Sequence, residues 1–267
     1  MQGAIDLGIT NIDTVFETSA GLIFERTPTT NQTPHDQVAR ILAARPSVPE
    51  RVAVTGGRYR DLPEISGSTR LVKVGEVTAV GLGGLALAAL EEALVVSAGS
   101  GTVMVAARGR LCTHVTGSAV GGGTLQGLGR LLLGTADALE IDALAQRGDA
   151  NQADLTLAEA VGGNVGALPA NANAVNFGRL ARVDCSLSKE DAAAGLVRLV
   201  GQVIAVVAIN AARAQSLAEI VIVGHLVDLP SVRAVLTEVS GYYQAKITVP
   251  ANPGTGTALG AMLALNG

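Results

Sequence analysis

Apolar positions along the chain switch repeatedly between the period of two expected of a strand and the 3.6-residue period of a helix, and the switches divide it into elements. Residues 4–7 read as a short apolar strand, closed by the turn Asp6-Leu7-Gly8-Ile9-Thr10-Asn11. Two more strands, over 15–18 and 21–27, are joined by Ser19-Ala20 as a hairpin. Thr33-Pro34-His35-Asp36 opens a helix to about residue 45, with Thr33 as N-cap and Pro34 in the first helical position. A strand over 51–55 ends in Gly56-Gly57, and Val72-Lys73-Val74 leads through residues 75–81 into a helix of small residues ending near 91. The strand over 94–98, the turn Gly99-Ser100-Gly101-Thr102 and the strands over 103–107 and 111–116 then repeat the opening architecture. No fixed-period self-similarity accompanies this, so the repeat is one of topology.

Gly121, Gly122 and Gly123 lead through Thr124 into a helix whose Leu125, Leu128, Leu131 and Leu132 recur at helical spacing. Helices follow over 137–146 and, after a loop-rich region at 162–182, over 189–216, the latter capped by Ser188 with Glu190 and Asp191 in its first turn. A strand over 219–223 ending in Gly224-His225, a helix over 229–243, a strand over 246–249 and a helix over 256–265 complete the chain. Strands alternating with helices predict an α/β fold. Two halves are expected, 1–94 and 95–267, packed directly on each other because no linker composition separates them.

Composition narrows the function classes. The 267 residues are 48% hydrophobic but only 2% aromatic, so the core is built of Ala, Val, Leu and Ile, with 33 glycines for turns and close packing. A net charge of -4, with three Tyr, three Phe and no Trp, argues against a nucleic-acid surface. Two cysteines, Cys112 and Cys185, with no CxxC and three scattered His, signal neither a disulfide framework nor a zinc site, which suits a reducing cytoplasm. The opening MQGAIDLG lacks the pattern of an export signal. The longest apolar stretch, 199–212, contains Gln202 and Asn210 and is too short to span a bilayer, so no membrane segment is expected. It reads as a buried helix with one face free to form a subunit interface.

The candidate chemistry sits at the turns. A glycine-rich turn feeding a helix start, as at 121–124, lets main-chain N–H groups converge on an anion such as phosphate. The same residues also suit an ordinary loop with a threonine cap. Asp6 has two readings by itself, a ligand for a metal-bound phosphate or an Asp at a strand-end turn. Glu76 likewise is either a reactive carboxylate or a first-turn Glu favoured by the helix dipole. Ligands gather at the C-terminal ends of strands in open α/β sheets, and Gly56-Gly57 falls at such an end and permits close backbone approach.

Taken together these motifs resemble the type II, eukaryotic-type pantothenate kinases of the acetate and sugar kinase, heat-shock protein and actin superfamily. The carriers are Asp6 to Thr10, Val54-Thr55-Gly56-Gly57, Glu76-Val77-Thr78-Ala79-Val80-Gly81, Gly99-Ser100-Gly101, Val115-Thr116-Gly117 with Gly121-Gly122-Gly123-Thr124, Asp154-Leu155-Thr156-Leu157, Asn176-Phe177-Gly178 and Val221-Ile222-Val223-Gly224. The resemblance implies two RNase H-like, actin-like ATPase halves around a nucleotide-binding cleft, and transfer of the γ-phosphoryl of ATP to the primary hydroxyl of pantothenate, the first step of coenzyme A synthesis. It assigns Asp6 to Mg²⁺ and catalysis, and Glu76 to the substrate hydroxyl. Gly8, Ile9, Thr10, Asn11, Gly121, Gly122, Gly123, Thr124 and Gly224 fall to ATP, and Ser100, Gly101 and His114 to pantothenate. It also implies a homodimer through the long helix.

Two positions depart from the family pattern. Asp13 stands where a Lys follows the first motif, placing a negative charge on the phosphate side that Mg²⁺ or another cation must offset unless Asp13 points away. His114 stands where an Arg pairs with the pantothenate carboxylate, and an imidazole cannot form a bidentate ion pair. Arg58, Arg60 and Arg110 are the candidates to replace that Arg. His225 reads as a packing or surface histidine. The departures leave two alternatives beside pantothenate kinase: a kinase of the same fold for another small hydroxyl compound, and a non-catalytic nucleotide or coenzyme A binder.

Overall fold

The computed structural model describes residues 2–182 and 186–266; Cys185 lies outside them. In the first sheet, β1 (Gln2–Leu7), β2 (Asn11–Thr18) and β3 (Gly21–Pro28) form an antiparallel meander. Helix α1 (Pro34–Ala43) carries the chain to β4 (Arg51–Gly56), which lies parallel to β1; β5 (Ile65–Ser66) and β6 (Thr69–Lys73) complete the order β3-β2-β1-β4-β6-β5. Thr33 accepts from the backbone N–H of Asp36 and Pro34 occupies the first turn, the cap that the sequence predicts.

Helix α2 (Glu76–Ala88) leads to the second sheet, where β7 (Glu92–Ala98), β8 (Thr102–Arg108) and β9 (Leu111–Ser118) form the same meander. Residue 95 therefore falls inside β7. Next come α3 (Gly122–Leu132), α4 (Ala138–Ala145), β10 (Leu155–Thr156), α5 (Leu157–Val161), β11 (Asn173–Val175) and α6 (Lys189–Ala214). Then β12 (Glu219–Val223), α7 (Pro230–Tyr243), β13 (Lys246–Thr248) and α8 (Gly256–Ala264) end the chain. The order β13-β12-β7-β8-β9, with β12 parallel to β7, reproduces the arrangement of β6, β4, β1, β2 and β3.

The two sheets are tied by exchanged helices. α2, which follows the first sheet, buries Val80 and Leu85 against Val95, Val105 and Val221 of the second. α8, which follows the second, packs Ala258 and Ala261 against Ala4, Val15 and Ala53 of the first. The helices cross at glycines: a Cβ on Gly260 would run into the carbonyl oxygen of Ala79, and one on Gly83 into that of Gly256. Gly260→Ala is therefore expected to destabilise by about 2 kcal/mol through overpacking against backbone, lowering the thermal midpoint by about 6 °C. Calorimetry of the variant checks this, and an unchanged midpoint would show that the crossing can spread without cost.

The outer faces are covered by α1 on the first sheet and by α6 on the second. α6 spans 26 residues, longer than the apolar stretch within it, and is long and apolar enough to cross a membrane by length and composition. Its Leu196, Val200, Ile204 and Ala208 are instead buried in the core of the second half. The motifs at 154–157 and 176–178 support this helix. The carboxylate of Asp154, fully buried, accepts from Phe177 N–H at 2.8 Å and pairs with Arg198 of α6 at 3.3 Å.

Candidate active site

A cleft of about 830 Å³ opens between the sheets, at the C-terminal ends of β1, β4, β7 and β12. Its first wall holds part of a row of directly opposed residues, Thr55 on β4, Asp6 on β1, Asp13 on β2 and Arg26 on β3, of which the last three line the cleft and Thr55 lies buried beside Asp6. Opposed residues in a sheet project to one face. Here it is the face that α8 covers deeper in the core and that the cleft opens at the strand ends.

Asp6 sits in a strongly unfavourable setting for charge. Burial first, then the nearby charges of Asp13 and Glu76, push its carboxyl up to about 7, with His225 pulling the other way. Gly56, at φ +86°, leaves the space that the Asp6 carboxylate occupies, since a Cβ there would meet Oδ1. The hydroxyl of Thr55, next in the row, is buried and has no partner. Glu76 is the first residue of α2, starting directly after Gly75, and it reaches the same cleft, exposed.

The two equivalent turns face each other across the opening, and Thr10 Oγ1 lies 3.0 Å from Ser100 Oγ. Gly8, Ile9, Thr10 and Asn11 line the cleft from one side, and Ser100, Gly101, Gly122 and Gly224 from the other. Asn11, expected in the turn, is the first residue of β2. The glycine loop packs tightly on the second turn. Gly122 and Gly123 donate their N–H groups to the carbonyls of Gly99 and Ser100 at 2.8 and 2.9 Å, and a Cβ on Gly121 would lie 2.7 Å from the carbonyl of Ser100. Gly121, Gly123 and Thr124 thus stand behind the lining, where Thr124 Oγ1 receives the N–H of Gly121.

His225 departs from its expected packing or surface role. It projects into the cleft from just beyond β12, with Nε2 2.8 Å from the Asp13 carboxylate and Nδ1 2.9 Å from Asp228. Burial lowers its affinity for a proton, but the two carboxylates outweigh that and raise its pKa to about 9. Asp13 therefore does point towards the cleft, and the cation that answers it is His225, an ion pair across 212 positions of sequence. Nothing local in the sequence signals this contact. His114, by contrast, lies exposed on β9 and away from the cleft lining, as do Arg58, Arg60 and Arg110.

Paired sheets of this order, with their strand-end turns meeting over one cleft, define an actin-like ATPase architecture. The fold is similar to the activator of the 2-hydroxyisocaproyl-CoA dehydratase from Clostridium difficile with bound ADPNP, at a TM-score of 0.66 and 14% identity, covering 98% of this chain and 93% of that one. It is also similar to the ROK hexokinase from Thermus thermophilus, at a TM-score of 0.58 and 14% identity over 98% and 96% of the chains. Within that architecture, residues 92–251 match the Fumble family, and the chain belongs to it. The type II pantothenate kinase of Oceanobacillus iheyensis is 30% identical over 217 residues, 79% of this chain and 80% of that protein. That of Staphylococcus haemolyticus is 29% identical over 230 residues, 84% of each. The family match holds Ser100, Gly101, the glycine loop and Gly224, while Asp6 and Glu76 lie ahead of it.

Proposed function

We propose that this protein is an ATP-dependent kinase that phosphorylates the primary hydroxyl of pantothenate, the first step of coenzyme A biosynthesis. One observation carries the reading: Asp6 and Glu76, from two different elements, meet in one cleft beside the paired turns and the glycine loop, in a chain whose relatives are type II pantothenate kinases. The residues at Asp6 suit Mg²⁺. A carboxyl pushed up to about 7 by burial and then by the charges of Asp13 and Glu76, with an unpartnered buried hydroxyl at Thr55 beside it, offers hard oxygen donors to a cation. Among the described residues no group of three His, Cys, Asp or Glu holds a metal alone, which fits an ion whose remaining ligands are phosphate oxygens. When bound, Mg²⁺ supplies charge neutralisation at the β- and γ-phosphates.

The chain's own residues then do three things. Asp6 and Thr55 hold the cation end. The turns at 8–11 and 99–101, with Gly122 and Gly224, confine the phosphates between the halves. Glu76 accepts the proton of the acceptor hydroxyl as its oxygen bonds to the γ-phosphorus and the bond to the ADP oxygen breaks. The same reading includes a homodimer through α6, supported by its partly exposed Leu199, Val203, Val206 and Val207, and residence in a reducing cytoplasm, supported by the free thiol of Cys112.

A second acceptor is favoured by one specific feature. The described lining of the cleft holds a single Lys or Arg, Arg26, which stands in the row of Asp6 and Asp13, and His114 lies outside it. A carboxylate substrate would have to share that one guanidinium with the nucleotide phosphates. A mass-resolved phosphorylation assay with Mg-ATP, offering pantothenate with pantetheine, pantoate and simple sugars, tests both readings. Phosphopantothenate as dominant product is the expected result; another product moves the acceptor assignment, and ATP binding without any product replaces catalysis with nucleotide sensing.

A further inference from the structure

The cleft is negative where a triphosphate has to lie. Its described lining includes five carboxylates, Asp6, Asp13, Glu76, Asp137 and Asp228, and only two side chains that carry positive charge, Arg26 and His225. Asp137 is committed to capping α4 through the N–H groups of Leu139 and Glu140. Of the rest, Asp13 and Asp228, one from each half, meet the two cations.

The cations differ in how they are held. His225 is locked: its two ring nitrogens each face a carboxylate, Asp13 from β2 and Asp228 from its own turn. Its ring lies against Gly254, where any Cβ would collide with it. Arg26 reaches the same corner, with Nη1 2.5 Å from His225 Nδ1 and 3.5 Å from the Asp228 carboxylate. The Arg26 side chain is 49% exposed and shares the row, and hence the face, of Asp6 and Asp13. It is a planar donor set for phosphate oxygens on the lining of the cleft.

From this geometry we infer that Arg26 binds the terminal phosphates of the nucleotide, and that Asp13 is a positioning residue that anchors His225 across the cleft so that the two cations together answer the polyphosphate. The inference rests on the nucleotide reading given above. It also gives the Asp at position 13 a role: the positive charge missing from β2 is supplied from β3 and from the opposite half, and Asp13 holds part of it in place.

Titration calorimetry with Mg-ATP and with adenosine, and no acceptor, tests this. Arg26→Gln is expected to weaken Mg-ATP at least tenfold while adenosine binds as before, and Arg26→Lys to recover part of the loss. Asp13→Asn is expected to weaken Mg-ATP about threefold or more, Asp13→Glu to restore it, and the effect of Asp13→Asn to vanish in a His225→Gln background. Mg-ATP affinity within twofold of wild type in Arg26→Gln would overturn the assignment of Arg26. A parallel loss of adenosine binding would overturn it too, since a distorted site and not a lost phosphate contact would then be the cause. Because Arg26 is a half-exposed edge-strand residue, its replacement leaves the fold intact even if Asp13 variants do not. Wild-type protein that binds Mg-ATP through Arg26 but phosphorylates no pantothenate would refute the acceptor and leave this inference standing; wild-type protein that binds no Mg-ATP would overturn both.

Discussion

Glu76→Gln is expected to lower the turnover number by about 10³-fold while leaving Mg-ATP affinity within about twofold. A positioned general base contributes roughly 10²–10⁴-fold, so a loss of this order corresponds to about 4 kcal/mol of transition-state stabilisation. The glutamine keeps the size and the carbonyl oxygen but cannot take a proton. Glu76 starts α2 and faces the cleft, so its removal touches no buried packing. One side effect separates chemistry from structure. The charge of Glu76 is among the causes that hold the Asp6 carboxyl near 7, so neutralising it should move the Asp6 titration down. Single-turnover kinetics with saturating Mg-ATP, together with NMR titration of Asp6, check the two together. A variant that turns over within tenfold of wild type would assign Glu76 to the helix start alone, and one that loses ATP binding would make it part of the nucleotide site.

How much of this was legible in the sequence depends on how local each feature is. The Thr33 and Ser188 caps follow from residues three apart, and both form as expected. The strand and turn at Asp6, its counterpart at Gly99-Ser100 and the glycine-rich helix start were readable as strings. Helix α2 was harder: its small-residue run is plain in the sequence only from about 81, and of the two readings of Glu76 only the first-turn one reaches its true start at Glu76. It is clasped between the second sheet and α8, so residues 79–85 are all buried and no polar face marks a period. The exchange of α2 and α8 has the same origin: glycines at the crossing report close approach only once the partner is known. At the site, the separate motifs were visible but the pairing of Asp13 with His225 was not, because it joins different halves of the chain. The glycine loop was read for its free N–H groups, two of which are spent on the adjacent turn.

Asp6→Asn is expected to abolish turnover, a loss of about 10³-fold or more from removing a charge that phosphoryl transfer depends on, and at the same time to stabilise the metal-free protein at pH 8. The stability effect follows from linkage. The Asp6 carboxyl stands at about 7 in the fold against an ordinary 3.8, so between those values the folded state binds the proton that the unfolded chain has released. Stability from this group is therefore highest in acid and falls as pH rises from about 4 to 7, the full cost persisting above. A displacement of this size is worth about 4 kcal/mol at the usual exchange rate, and access of cleft water to the carboxylate reduces it to about 2. Asparagine is neutral at every pH and escapes the cost, so Asp6→Asn should melt about 5 °C above wild type at pH 8 and together with it at pH 4. Magnesium should close the gap by stabilising wild type alone, because only an ionised Asp6 rewards a cation. Thermal scans at both pH values, with and without Mg²⁺, measure all of this. If Asp6→Asn melted below wild type at pH 8, the carboxylate would already be satisfied by protein groups, and Asp6 would be a structural residue with no charge waiting for a nucleotide-borne metal to answer it.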